Sequence, residues 1–335
     1  MMESSLKNKT ILITGGTGFL GQALTEEILK FKPKVIRIFS RDEVKHYKFQ
    51  QKFGENKRLR NLIGNVRDYD RLKKAMQGCD IVIHAAALKR IDMIEYNVEE
   101  SIKTNIIGTI NLVKAALENK VKKVIFVSTD KACLPVNSYG ACKLVSEKVI
   151  TESNFSKGDS KTIFASVRYG NVIGSTGSVI PFFKKKLEAG EEIPLTDPRM
   201  TRFLISPKQA VHLVLKAIKY SAGGEIFIPK LPSFNIEDLI KYLRKEANSK
   251  SEIKVVGLRP GEKLHEVMVS EIEAPRTIEF YNTLVILSEI EKYQPKQKVY
   301  SYLKNYKNYN GKEFSSETNL LSAREIEDYF KKLKN

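Results

Sequence analysis

The chain has 335 residues, 42% of them hydrophobic and 29% charged, an ordinary balance for a globular protein with a sizeable core. No apolar run reaches the ~18 residues that a membrane-spanning helix needs. Lys and Arg number 57 against 39 Asp and Glu, a net charge of +18, which suits an anionic partner without choosing among nucleic acid, membrane face and phosphorylated small molecule.

The basic residues are dispersed along the chain, with no recognised nucleic-acid motif, so neither a nucleic acid nor a membrane is expected as the partner. The first ten residues are polar and carry no apolar signal core; this argues against export and makes the cytoplasm the expected compartment. Cys79, Cys133 and Cys142 form no C-x-x-C pair, so reduced, buried thiols are expected. His46, His84, His212 and His265 show no metal-ligand spacing, and no metal is expected.

In chain order, β-branched runs predict strands at 10–14, 34–40, 58–63, 80–84, 122–128 and 161–168. Amphipathic stretches between them predict helices at 19–31, 44–53, 69–77, 99–119 and 138–155. Strands separated by helix-length connections make βαβ units, and the near-continuous Val124-Ile125-Phe126-Val127 suits a sheet covered on both faces. The predicted class is α/β, a doubly wound parallel sheet over residues 8–170. After Gly170 the rhythm breaks into Gly-, Pro- and Ser-rich loops, with helices at 207–220 and 236–247. Residues 171–335 are therefore expected to form mainly a smaller substrate-binding lobe. Its tail, 292–335, is rich in Tyr, Lys and Ser and ends in a helix at 322–332.

The first strand runs straight into Gly15-Gly16-Thr17-Gly18-Phe19-Leu20-Gly21 and then a helix. Glycines at 15, 18 and 21 permit a tight turn and close backbone approach, and the helix N-terminus offers free N–H groups to a pyrophosphate. A dinucleotide is the expected cofactor. Where an NAD-preferring chain ends its second strand in an acid, this one has Ser40-Arg41, a hydroxyl and a guanidinium suited to a 2′-phosphate. NADP is favoured, although Asp42 follows at once and offers a carboxylate to a ribose diol. Asn65 ends the third strand with an acceptor for the adenine amine. Small residues at 85–87 let a cofactor lie against backbone.

After the fifth strand come Ser128-Thr129-Asp130-Lys131 and then Tyr139-Gly140-Ala141-Cys142-Lys143. Tyr139 and Lys143, four apart on a predicted helix, share one face. A neighbouring ammonium favours phenolate, which would make Tyr139 a base, and Lys143 is also placed to hold the nicotinamide ribose.

The glycine turn with Tyr139-x-x-x-Lys143 resembles the extended short-chain dehydrogenase/reductase superfamily. The segments Ala85-Ala86-Ala87-Leu88-Lys89, Glu95-Tyr96-Asn97, Thr129-Asp130-Lys131, Val167-Arg168-Tyr169-Gly170-Asn171, Met200-Thr201-Arg202-Phe203 and Leu258-Arg259-Pro260-Gly261-Glu262-Lys263-Leu264-His265-Glu266 narrow the resemblance. Together they are similar to the UDP-N-acetylglucosamine 4,6-dehydratases, above all the inverting branch that begins pseudaminic acid synthesis. The resemblance implies a redox step at sugar carbon 4, elimination of water across carbons 5 and 6, and hydride return to carbon 6. It implies Tyr139 as base at the 4-hydroxyl, helped by Thr129, Lys131 as base at carbon 5, and Asp130 as acid at carbon 6. Those roles call for a depressed Lys131 and a raised Asp130.

The resemblance further implies cofactor contacts at Gly15, Thr17, Gly18, Phe19, Leu20, Gly21, Ser40, Arg41, Asp42, Lys45, Asn65, Val66, Ala85, Ala86, Lys89, Asn105, Tyr139, Lys143 and Val172. Arg202 and Arg259 are candidates to meet the two phosphates of UDP in bidentate fashion. Lys89, Lys131, Asn171, Val179, Thr196 and Glu262 match substrate-contacting positions. His84 reads as a strand-end packing residue. Arg90-Ile91-Asp92 departs from the family pattern beside the sugar pocket. The resemblance implies that the long helices 99–119 and 138–155 form a dimer bundle, so a homo-oligomer, a dimer or larger, is expected. A 4-epimerase on the same scaffold stays open; it needs Tyr139 but neither Asp130 nor Lys131. A binder without turnover is a third reading, against which the intact Tyr139/Lys143 pair stands.

Overall fold

The β-branched runs become strands of one sheet in the computed structural model, which describes residues 3–175, 178–290 and 305–334. The start of the Tyr- and Lys-rich tail, through residue 304, lies outside the described residues. The strands are β1 (Thr10–Thr14), β2 (Val35–Ser40), β3 (Leu59–Ile63), β4 (Ile81–His84), β5 (Lys123–Val127) and β6 (Ile163–Val167). They pair in parallel in the order β3-β2-β1-β4-β5-β6. Consecutive addition reverses between β1 and β4, and at such a switch point a crevice opens at the carboxyl ends of the strands. β1 and β4 are buried along their whole lengths, as strands covered on both faces must be.

The later chain builds onto this sheet. After the boundary expected at residue 170 it returns to add Ile226–Pro229 parallel to β6, followed by Thr283–Ile286, Thr277–Glu279 and Lys307–Asn308 running antiparallel. The sheet thus has ten strands. The sequence rhythm missed these four because their connections are irregular loops, not helices of regular length.

Helices Phe19–Lys30 and Pro207–Tyr220 cover one face, burying Leu24, Ile28, Val211 and Val214 against Ile11, Ile13 and Ile83. Helices Tyr69–Met76 and Gly108–Glu118 cover the other, burying Leu72 and Leu112 against Leu12, Val82 and Val124. Each such fully buried aliphatic side chain stabilises the fold by roughly 1.5–3 kcal/mol. A third core, with Phe183, Phe234, Leu239 and Phe330, lies beneath helices Val179–Glu188, Ile236–Glu246 and Ala323–Lys334.

The helix expected over 99–119 is interrupted. Val98–Ser101 and Gly108–Glu118 flank a π-helical turn at Ile102–Ile107. The Asn105 carbonyl, which a regular helix would offer to the Thr109 backbone, accepts the hydroxyls of Thr109 at 2.6 Å and Ser146 at 2.8 Å. Side-chain competition for that carbonyl accounts for the widened turn.

Beyond β6, the fully buried Arg168 binds Glu147 at 2.6 Å, Glu273 at 2.9 Å and the Met268 carbonyl at 2.8 Å. This charge cluster ties the helix Ser138–Ser156 to the segment after Val267–Val269.

Candidate active site

β1 leaves the sheet at Gly15, whose φ of +69° is the left-handed region that glycine tolerates. A Cβ there would stand 2.9 Å from the backbone of Ala85 and Ala86, so the ends of β1 and β4 meet only because that side chain is missing. A Cβ at Gly21 would overlap Gly16, which lets the helix Phe19–Lys30 pack directly on the turn. Its N-cap, Gly18, makes no side-chain capping bond, leaving first-turn N–H groups for an anion. This cradle fits the pyrophosphate of a dinucleotide.

At the end of β2 the Ser40 hydroxyl meets Thr17 Oγ1 at 2.8 Å and His46 Nε2 at 3.0 Å. Asp42 is committed elsewhere: it caps the helix Glu43–Phe53, accepting from the Lys45 N–H at 3.0 Å, and pairs with the Lys45 ammonium at 3.4 Å. The backbone hydrogen bond from Lys45 holds its carboxyl below the ordinary range. Arg41 is exposed and makes no side-chain hydrogen bond or ion pair with the described residues. Asn65 Oδ1 accepts from the Arg67 N–H at 3.1 Å, which leaves one lone pair on that oxygen, and Val66 beside it is buried.

Around β4, Thr14 Oγ1 accepts from the Ala86 N–H at 3.3 Å and meets His84 Nδ1 at 2.6 Å. His84 Nε2 meets Thr109 at 3.2 Å, and burial, reinforced by the Lys143 charge, pulls its pKa down to about 3. His84 is thus a neutral packing group. The buried Asn105 amide brackets Leu88, donating to its carbonyl and accepting from its N–H, both at 2.9 Å. Its side chain thereby holds the loop that follows β4.

β5 delivers Thr129, which caps the short turn Asp130–Ala132 and donates its hydroxyl to Asp130 Oδ1 at 2.9 Å. The Lys131 Nζ lies 3.1 Å from Asp130 Oδ1 and 3.0 Å from Glu266 Oε1. Asp130 and Glu266 are both buried, and Asp130 Oδ2 and Glu266 Oε2 make no hydrogen bond with the described residues. Asn137 caps the helix Ser138–Ser156, which carries Tyr139 and Lys143. A Cβ at Gly140 would overlap the Lys131 carbonyl oxygen, so glycine lets the Asp130–Ala132 turn lie on that helix.

Two electrostatic expectations fail. Burial pushes the Tyr139 phenol up to about 12, opposed by the Lys131 charge and by the Thr129 hydroxyl. Lys143 is not the group that lowers it. The Lys143 ammonium is buried, donates to the Val127 carbonyl at 2.6 Å and sits 4.2 Å over the Phe126 ring. Desolvation pulls it down to about 7. Second, burial favours a neutral Lys131, but the Asp130 and Glu266 carboxylates outweigh it and hold the amine above its ordinary value. Asp130 behaves as expected: burial raises its carboxyl against the pull of Lys131.

On the sugar side the Arg202 fork is largely committed to backbone, donating to the carbonyls of Thr201 at 2.7 Å, Leu264 at 3.0 Å and Lys263 at 2.9 Å. The side chains of Arg259 and Lys89 are exposed and make no hydrogen bond or ion pair with the described residues. Glu262 Oε2 is buried without a hydrogen bond to the described residues. Asn171 and Val172 pair beside Leu204 and Ile205, Val179 opens the helix Val179–Glu188, and Thr196 follows the short strand Ile193–Leu195; all four are partly buried. Arg90 pairs with Asp92 at 2.9 Å on the surface.

Sequence reasoning gave no role to Glu266, Asn137 or Gly140. The position of Asn137, just before a predicted helix, was a readable capping signal. Nothing in local spacing joins Glu266 to Lys131.

The sheet order and the Tyr139/Lys143 helix beside a glycine cradle define an enzyme of the short-chain dehydrogenase/reductase class. The chain belongs to the polysaccharide biosynthesis protein family, whose sequence profile matches residues 11–288. It is 47% identical over 325 residues to a UDP-N-acetylglucosamine 4,6-dehydratase (inverting) of Campylobacter jejuni subsp. jejuni serotype O:2, covering 95% of this chain and 96% of the relative. A UDP-glucose 4-epimerase of Rickettsia massiliae is 44% identical over 270 residues, 79% of each chain. Among solved structures, Pen from Bacillus thuringiensis superposes with a TM-score of 0.91 at 39% identity, covering 98% of this chain and 99% of that one.

Proposed function

We propose that the chain is a UDP-N-acetylglucosamine 4,6-dehydratase that uses NADP and inverts carbon 5. The observation that carries this reading is the partly buried amine of Lys131 held against the buried carboxyl of Asp130 beside Tyr139. A 4-epimerase moves one proton and one hydride at carbon 4 and has no work for that pair. An elimination needs a base and an acid together.

The cradle at 15–21 would hold the pyrophosphate, Ser40 and Arg41 the 2′-phosphate, and Lys143 the nicotinamide ribose. A nicotinamide held there would supply reversible hydride chemistry, between carbon 4 and carbon 6 of the sugar. The Tyr139 phenol first gives its proton to solvent, which the Lys131 charge and the Thr129 hydroxyl favour against burial, and the phenolate then takes the 4-hydroxyl proton. The ketone so formed acidifies the carbon 5 proton. In the resting site Lys131 is an ammonium and Asp130 its counter-ion. One proton passing from Lys131 to Asp130 along their 3.1 Å hydrogen bond makes the amine a base and the carboxyl an acid. Lys131 then removes the carbon 5 proton, and Asp130 protonates the carbon 6 hydroxyl as it leaves. The hydride returned to carbon 6 would be matched by a solvent-derived proton delivered to carbon 5 from the face opposite Lys131, which inverts that centre; one water is lost and the cofactor is regenerated.

Arg259, Glu262, Lys89, Asn171, Val179 and Thr196 are assigned to the nucleotide-sugar, and Arg202 to building the wall beside it. The product is a UDP-2-acetamido-2,6-dideoxy-4-hexulose, an entry compound for pseudaminic acid. Three free, buried cysteines suit the reducing cytoplasm, where we place the reaction. The exposed Val98, Ile102, Ile107 and Val145 on the paired helices suit a homo-oligomer contact.

Incubation of UDP-N-acetylglucosamine in deuterium oxide tests the reading. Loss of one water, with deuterium at carbon 5 and inverted configuration by NMR, is expected, and Lys131→Ala should abolish it. Epimerisation at carbon 4 that survives Lys131→Ala would establish the epimerase instead.

A further inference from the structure

Lys131 lies between two carboxylates, and only Asp130 has a role in the reaction as proposed. Glu266 comes from another part of the chain, beside the strand Val267–Val269, and reaches the amine at 3.0 Å, closer than Asp130 at 3.1 Å. It is 2% exposed, and its second oxygen makes no hydrogen bond with the described residues. Its position is imposed from both sides of the backbone. The Glu266 N–H donates to Ser316 Oγ at 2.9 Å, and its carbonyl accepts from the Ser316 N–H at 2.8 Å. Ser316 Oγ in turn meets Thr201 Oγ1 at 2.6 Å. A buried carboxylate with a free oxygen costs stability, of order 1–3 kcal/mol, so such a group is expected to serve the site.

We propose that Glu266 is a positioning residue for the elimination: its carboxylate orients the Lys131 amine and sets the charge of the Asp130–Lys131 pair. The inference rests on the dehydratase reading above. The groups facing the Lys131 amine are Asp130 on its own turn, Glu266 beside Val267–Val269, Arg202 from the strand Thr201–Ile205, and Tyr139 from the helix Ser138–Ser156. Arg202 Nε lies 3.8 Å from Glu266 Oε1, and Lys263 also acts on that carboxylate. With Glu266 charged, the cluster holds its protons more tightly. Neutralising it weakens that hold, so the acidic limb of the rate profile moves toward lower pH.

The test uses the full chain with NADP and UDP-N-acetylglucosamine, measuring the pH dependence of kcat and the KM for the sugar. Glu266→Gln should shift the acidic limb of kcat downward by about one pH unit, the scale of removing one charge at this distance, while KM stays within about threefold. Glu266→Asp keeps the charge and should leave the limb in place even where kcat falls. The inference is overturned if Glu266→Gln titrates like the parent, or if Glu266→Asp shifts as the Gln variant does. Lys131→Ala separates the two readings. If it is inactive and the Glu266→Gln limb is unmoved, only the role of Glu266 falls. If it still dehydrates the sugar, the dehydratase mechanism falls and the role of Glu266 with it.

Discussion

One side chain, Asn137, joins two parts of the site: its Oδ1 caps the helix of Tyr139 by accepting from the Gly140 N–H at 2.8 Å, and its Nδ2 donates to the Gly261 carbonyl at 2.7 Å. The loop carrying Arg259 and Glu262 is thereby fastened to the start of the catalytic helix. Asn137→Ser keeps a capping oxygen and gives up the clasp. One neutral hydrogen bond contributes about 0.5–1.5 kcal/mol, so KM for the UDP-sugar should rise roughly two- to tenfold with little change in thermal midpoint. Asn137→Ala loses the cap as well, about 1 kcal/mol more in stability. Parent-like KM in Asn137→Ser would show that the clasp does not hold the substrate loop.

Gly140 offers a sharper test of packing. In a free helix, alanine is better than glycine by about 1 kcal/mol. Here a Cβ overlaps the Lys131 carbonyl oxygen, so Gly140→Ala must displace the catalytic turn. Misplacement of this kind costs on the order of 100-fold in kcat. Steady-state kinetics and a melting curve measure it; a more stable, fully active variant would contradict the geometry.

Arg41 bears on cofactor choice. It stands exposed beside Ser40, while Asp42 is committed to its helix cap. Charge-assisted hydrogen bonds to a phosphate contribute about 1.5–3 kcal/mol, so Arg41→Ala should weaken NADP binding roughly ten- to a hundredfold and leave NAD unchanged. Titration of both cofactors by fluorescence decides it. An equal loss for both would detach Arg41 from the 2′-phosphate.

The Arg168 cluster predicts an acid-sensitive fold. Burial alone would raise the Glu273 carboxyl, but Arg168 outweighs it and holds it at about 2. A folded-state value below the unfolded one stabilises at all pH above the unfolded value, roughly 4.3, and that contribution fades as pH falls toward about 2. Glu273→Gln should cost about 3 kcal/mol at neutral pH by the usual scale for breaking a buried pair. The gap between parent and variant, read by denaturant titration, should close as the pH is lowered. A gap independent of pH would assign the loss to packing.

The legible parts were those set by local pattern. β1 to β6 and their helices appear within a few residues of their predicted places, because burial on both faces demands continuous apolar strands and a helix face repeats every three to four residues. The glycine turn was readable for the same reason, since Gly15 adopts a backbone angle that other residues resist. Asp42 shows the limit: a carboxylate at that position can bind a diol or cap a helix, and only the direction of the chain after it decides.

By itself the sequence determined the succession of the first six strands and their helices along the chain, the glycine turn after β1, and an Asp-Lys pair after β5 followed by a helix carrying a Tyr and a Lys four apart. Only the tertiary structure decided their charges. Burial lifts the Tyr139 phenol and lowers Lys143, while Asp130 and Glu266, the latter brought from far along the chain, hold the Lys131 amine above its ordinary value. Charge in a protein interior depends on distance and desolvation, and neither is written in the spacing of residues along a chain.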